Sequence, residues 1–190
     1  MKSIGITGGI GSGKSLVCAI LEKMGYPVFY ADFEAKKAMN EDPELKKSLI
    51  QLLGDQTYAN NELNRPFVAE QIFKNHHLKK EVNALVHPAV YRAYENWKKR
   101  QKSPLVFNES ALLFETGSYK RFDATILVTS DRETRIQRVM ERDQTSREAV
   151  LERMSHQLDD HSKQKLCDFE IVNNDEALLV PQILKILQLL

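Results

Sequence analysis

Five short apolar runs, at 3–7, 27–31, 105–109, 125–129 and 169–172, divide the chain. Most are apolar at successive positions rather than at alternate ones, the pattern of strands covered by helices on both faces. Helix-like stretches separate them, and this alternation predicts an α/β fold around a mainly parallel sheet. After the first run, Leu16, Val17, Ile20, Leu21 and Met24 recur at helical spacing, and Gly25 can close that helix in the left-handed conformation. Ser130 with Glu133 reads as a capping box ahead of a helix through Arg142. Thr145 with Glu148 reads as another, ahead of a helix through about Leu158. Residues 176–190 carry leucine or isoleucine on most turns and predict a packing helix. Residues 32–102 are too long for a simple crossover and read as mostly helical: 34–40, 44–53, 66–75 opened by Pro66, and a last helix from Pro88 to about Gln101. An excursion of that size at the carboxyl edge of a sheet is where an α/β enzyme would keep a substrate-binding region. A helical insertion with packing duties alone has the same pattern.

No internal repeat, low-complexity tract or linker appears, so the 190 residues read as one domain. Hydrophobic residues make up 42% and charged ones 28%, as in ordinary soluble proteins. A formal net charge of +1 argues against nucleic acid or an anionic membrane as partner. The apolar runs fall far short of the ~20 residues that span a bilayer, and the first residues lack the shape of a signal peptide. Cys18 and Cys167 stand alone and read as small buried hydrophobes. A cytoplasmic enzyme fits these features, as do many other kinds of protein.

The chemistry concentrates in Gly8-Gly9-Ile10-Gly11-Ser12-Gly13-Lys14-Ser15, which fits G-x-x-x-x-G-K-[ST] between a predicted strand and a predicted helix. Gly9, Gly11 and Gly13 let backbone wrap a phosphate, and the N–H groups of the loop, with those of Ser12 and Leu16, face the anion. Lys14 reaches the β/γ-phosphates, and the Ser15 hydroxyl holds Mg²⁺. Asp32 follows the second strand, where a carboxylate can take the proton of an attacking hydroxyl or, equally, cap a helix. Glu109 ends the third strand as a candidate for ordering the Mg²⁺ shell. Arg132, Arg135, Arg138, Arg142, Arg147 and Arg153 alternate with glutamates, the pattern of a solvated ion-paired face. Arg138 and Arg142, one turn apart, also suit a clamp that closes over a transferring phosphoryl group. His87-Pro88 reads as a structural turn or a substrate contact, His76, His77, His156 and His161 as solvent-exposed, and Trp97 as helix packing.

Residues 7–15 followed by Ala31-Asp32 resemble the opening of dephospho-CoA kinases. Leu63-Asn64-Arg65, Leu85-Val86-His87-Pro88, Leu112-Leu113-Phe114-Glu115, Arg142-Asp143, Arg153 with Gln157, and Cys167-Asp168 leading to Asn173-Asn174 follow in that family's order. The resemblance implies a P-loop three-layer α/β/α fold with a five-stranded parallel sheet, a core of about 1–31, 103–137 and 166–190, a helical CoA-binding region of about 32–102 and a small helical lid of about 138–165. It implies ATP and Mg²⁺ as cofactors and dephospho-CoA as acceptor, phosphorylated on its ribose 3′-hydroxyl. Within it Asp32 is the general base, Arg65, His87 and Glu115 border the acceptor, Arg138 and Arg142 are clamp and lid arginines, and Asn174 borders the adenine. Tyr30 stands where the family usually has an acid, Leu16 where it has Thr, and Asn64 where it has Asp; residues 109–111 lack a common proline. Another P-loop kinase acting on a nucleoside or nucleotide, or a nucleotide-binding regulatory module, shares the same loop.

Overall fold

The computed structural model describes every residue except 175 and every side chain except those at 73, 74 and 76, so the expectation for His76 lies outside the described residues. The chain divides into two compact units, residues 1–30 with 101–190, and residues 31–100.

The first unit is built on five parallel strands: β1 (Lys2–Thr7), β2 (Val28–Tyr30), β5 (Leu105–Glu109), β6 (Ala124–Thr129) and β7 (Phe169–Val172). Their order is β2-β5-β1-β6-β7, and every pair is parallel, which makes the fold α/β. The central strands are sealed on both sides, with Ile4, Ile6, Phe107, Leu127 and Val128 at most barely accessible, which is why these runs are apolar at successive positions. Helix α1 (Lys14–Lys23) buries Val17, Cys18 and Leu21 in the cluster that also takes Ile183 and Ile186 of α9 (Leu179–Leu189). Gly25 ends α1 as expected: at φ 89° its N–H meets Glu22 O at 2.9 Å, and Tyr26 N–H meets Leu21 O at 3.0 Å. Helices α6 (Arg132–Asp143), α7 (Arg147–Ser155) and α8 (Asp160–Gln164) complete the unit, and residues 138–165 belong to it rather than forming a third body.

Both capping boxes need correction. The residue that caps α6 is Asp131, without a side-chain bond, because the first helical hydrogen bond runs from Arg135 N to Asp131 O and leaves Ser130 outside the helix, its hydroxyl accepting from Arg138 at 3.2 Å. Helix α7 is capped by Ser146, which accepts from Ala149 N at 3.3 Å, one residue later than Thr145.

The second unit holds α2 (Ala31–Glu41), α3 (Pro43–Leu53), the strands β3 (Tyr58–Ala59) and β4 (Glu62–Leu63), α4 (Arg65–Lys74) and α5 (His76–Lys98). Asp42 caps α3 by accepting from Glu44 N and Leu45 N, with Pro43 at the first helical position. The β3–β4 hairpin escapes the apolar pattern because each strand has two residues. Its turn needs positive φ at both Asn60 and Asn61, which asparagine tolerates. Pro88 does not start a helix but lies inside α5. Proline removes one helical hydrogen bond, yet Val82, Val86 and Ala89 on both sides of it are buried with Leu45 and Leu49 of α3, and this packing carries the helix through.

No helix among the described residues is long and apolar enough to cross a membrane. Trp97, the single tryptophan, stacks on Tyr94 at 5.9 Å and reports on the second unit. Leu49 is 1% exposed, so Leu49→Ala should destabilise that unit by about 2–5 kcal/mol. Urea denaturation followed by Trp97 fluorescence measures the loss; an unchanged midpoint would refute the core assignment.

Candidate active site

Strand β1 ends at Thr7 and turns through residues 8–13 into α1, so the loop lies at the carboxyl end of the central strand. Two of its glycines are left-handed, Gly11 at φ 79° and Gly13 at φ 93°. Close approach matters as much. A Cβ on Gly9 would overlap the Arg135 guanidinium, one on Gly11 would come within 2.5 Å of the Arg135 carbonyl, and one on Gly13 would overlap the Asn173 amide. That amide donates to Ser12 O at 2.9 Å, and Ser12 N–H closes on Gly9 O at 3.1 Å. Ser12 itself is fully buried.

Lys14 and Ser15 open α1. The Lys14 ammonium folds back on Gly8 O at 3.0 Å, which keeps the positive charge over the loop. Ser15 is exposed on the first turn, as is Leu16, whose N–H bonds Gly13 O at 3.0 Å. The N–H groups of this first turn and the positive end of the helix dipole favour an anion here.

Glu109 is buried at the end of β5, in register with Ile6 of β1 and Tyr30 of β2. Tyr30 donates its phenol to Glu22 Oε2 at 2.9 Å, and burial first, then that bond and the nearby acids, push its pKa far up. Burial pushes the Cys18 thiol up too, reinforced by Glu109 and Glu22 and partly offset by Lys14. Both groups stay protonated at neutral pH, so Cys18 is a packing residue, as expected.

The arginines separate. Arg135 is buried, bonding Ile10 O from Nε at 3.0 Å and Asp160 from its NH1 arm. Arg138 reaches Ser130 Oγ and Asn173 O, both at 3.2 Å, beside the strand ends that flank the loop. Arg142 is held on Asp143 through two bonds, at 2.7 and 3.1 Å, and Arg153 joins the same carboxylate at 2.7 Å. Arg147 pairs with Glu133, the solvated pair the alternating charges predict.

Glu115 accepts from Leu158 N at 3.0 Å and pairs with Lys163, whose ammonium is 3.0 Å from Oε1. Lys163 is wholly buried, and Oε2 of Glu115 is buried without a hydrogen-bond partner. Nothing in the sequence pattern singled out Lys163, because a lysine on a short polar helix reads as solvated. Arg135 and Asn173 were likewise inconspicuous: one stood in a run of arginines, the other beside Asn174. Asn174 turns its side chain onto its own chain, accepting from Ala177 N at 3.1 Å.

Among the residues of the second unit, Asp32 lies in the first turn of α2, two residues after β2 ends. Arg65 opens α4 and lines a cleft of about 410 Å³ with Asn40, Leu63 and Asn64. His87 is an exposed residue of α5.

The family model for dephospho-CoA kinase matches residues 2–178. A dephospho-CoA kinase of Bacteroides fragilis is 36% identical over 188 residues, covering 98% of this chain and 92% of that protein. The crystal structure of TT1252 from Thermus thermophilus superposes with a TM-score of 0.90 at 36% identity, covering 99% of this chain and 96% of the other. A dephospho-CoA kinase from Campylobacter jejuni superposes with a TM-score of 0.70 at 27% identity, covering 98% and 95%.

Two predictions follow from the charges. Lys163→Met strands the Glu115 carboxylate in a buried site and should cost about 3–5 kcal/mol, whereas Lys163→Met with Glu115→Leu should recover most of the loss. Thermal unfolding of both variants checks this; a double variant as unstable as the single one would refute the pairing. The hydrogen bond from Arg142, then that from Arg153, hold Asp143 down to about pKa 2. Because the folded value lies below the ordinary 3.8, the cluster stays intact above about pH 4 and opens as pH falls toward 2. A carboxyl NMR titration of Asp143 with a midpoint near 4 would contradict it.

Proposed function

This chain belongs to the dephospho-CoA kinase family, and on that premise we propose that it transfers the ATP γ-phosphoryl group to the 3′-hydroxyl of the dephospho-CoA ribose, giving CoA and ADP. The observation that carries this reading is the loop after β1, with two left-handed glycines, the Lys14 ammonium folded over it and the open first turn of α1 behind it. In the reaction a bond forms from the 3′-oxygen to the γ-phosphorus as the bond from that phosphorus to the β-phosphate oxygen breaks. The hydroxyl proton passes to Asp32, the general base, and ADP leaves.

Lys14 leaves Gly8 O for the β/γ-phosphates, and the backbone N–H groups of Gly9, Gly11, Gly13 and Ser15 supply the rest of the cradle, joined by those of Ser12 and Leu16 as they leave or share their bonds to Gly9 O and Gly13 O. Asn174 borders the adenine. Mg²⁺ is a hard cation that keeps most of its water and takes few protein oxygens, and the Ser15 hydroxyl and Glu109 carboxylate are donors of that kind. When bound, the metal offsets charge on the β- and γ-phosphates. Arg138 and Arg142 offset the charge of the transferring group, Arg142 after release from Asp143. Arg65, His87 and Glu115 border the acceptor, Glu115 with its carboxylate steadied by Lys163. The whole chain acts as one catalytic domain on small-molecule substrates in the cytoplasm, without nucleic acid or membrane.

The test is ADP release from Mg-ATP with dephospho-CoA, AMP, CMP or adenosine as acceptor. One ADP per CoA formed, with dephospho-CoA alone, is expected. Release with a nucleoside or nucleotide instead would move the protein to another P-loop kinase activity, and none with any acceptor would favour a regulatory module. Asp32→Asn should keep ADP affinity and lose at least ~100-fold in turnover; near-parental turnover would remove Asp32 from the chemistry.

A further inference from the structure

We propose that Arg135 and Gln157 are positioning residues that grip Ile10 at its carbonyl and its N–H, in the two peptide groups that flank it, and so set the phosphate loop in its anion-binding form. The inference rests on the nucleotide-binding reading of that loop. The carbonyl of Ile10 accepts from Arg135 Nε at 3.0 Å, and its N–H donates to Gln157 Oε1 at 2.9 Å. The Ile10 side chain packs on the cluster of Ile136, Val139 and Val150 formed by α6 and α7. Three independent contacts therefore fix one residue at the tip of the loop.

Arg135 does more than hold Ile10. It is 6% exposed, its NH1 arm is anchored by Asp160, and its guanidinium occupies the space that a side chain at Gly9 would need. Its own carbonyl occupies the space for one at Gly11. One residue thus sets the backbone at 9, 10 and 11. Nε and NH1 are committed to Ile10 and Asp160 and NH2 lies against Gly9, so the contacts of Arg135 are with the loop and its anchor. A glycine-rich segment samples many backbone states when free, and ordering it on binding lowers affinity. Residues that order it beforehand raise affinity for the polyphosphate without touching it.

Calorimetry of ADP binding to the parent, Gln157→Ala, Arg135→Lys and the double variant tests this, with Mg-ATP and dephospho-CoA kinetics alongside. Arg135→Lys keeps the charge but cannot serve Ile10 and Asp160 together. Each single variant should weaken ADP binding roughly tenfold, the scale of one such hydrogen bond. The double variant should lose less than the product, because both residues hold Ile10. KM for ATP should rise while KM for dephospho-CoA at saturating ATP stays within twofold, a split that general loss of structure would not produce. If Arg135→Lys fails to fold, Gln157→Ala, whose side chain meets the loop at the Ile10 N–H, decides alone. A folded Gln157→Ala that binds ADP like the parent, or equal rises in both KM values, would overturn the proposal. A parent that does not bind ADP would instead overturn the nucleotide reading, and this inference with it.

Discussion

The phosphate loop is backbone packed at glycine distance against two residues from elsewhere in the chain, Arg135 of α6 and Asn173 after β7. Both arrive there through the sheet. Helix α6 follows β6, the neighbour of β1, and β7 pairs with β6, where Asn173 N–H extends the ladder by bonding Thr129 O at 2.8 Å. Parallel pairing of β1, β6 and β7 therefore places the two supports beside the loop. All four of its glycines, Gly8 against the Val128 carbonyl included, have no room for a side chain, which ties motif and fold together at the level of van der Waals contact.

Charge is arranged around that loop by burial. Arg135 is out of water and paired, so it acts as a fixed part of the frame. Arg142 and Arg153 share Asp143 at the surface, where exchange with another anion costs little. Arg138 lies between, bonded to neutral oxygens of Ser130 and Asn173. Arg135 and Arg142, on one helix, thus stand at opposite ends, one fixed and one releasable. The Glu115–Lys163 pair stands at the rigid end, since both partners are shielded from solvent and neither can be released without stranding the other.

Much of this was legible in the chain. The strands at 3–7 and 105–109 appear within a residue of their predicted bounds, because burial on both faces leaves a continuous apolar signature, and the edge strand at 169–172 appears too although only Ile171 in it is buried. Gly25 was legible as a helix end, since a left-handed residue there is a local requirement. Pro88 misled, because the local cost of proline in a helix was outweighed by Val82, Val86 and Ala89 packing on α3. Ser130 misled because the helix begins one residue later, at Asp131, and its hydroxyl accepts from Arg138 instead.

The sequence by itself determined what depends on near neighbours along the chain: the alternation of strand and helix, the glycine pattern of the loop, and Lys14 and Ser15 on the first turn of the helix that follows. Only the tertiary structure decided what depends on contacts between segments far apart in the chain. It selected Arg135 from among six similar arginines, set Gln157 and Asn173 against residues 10–12, and buried Lys163 on Glu115. The reason is physical. A periodic pattern records how much of a side chain leaves water, whereas the partner it meets there is fixed by how the sheet brings distant segments together.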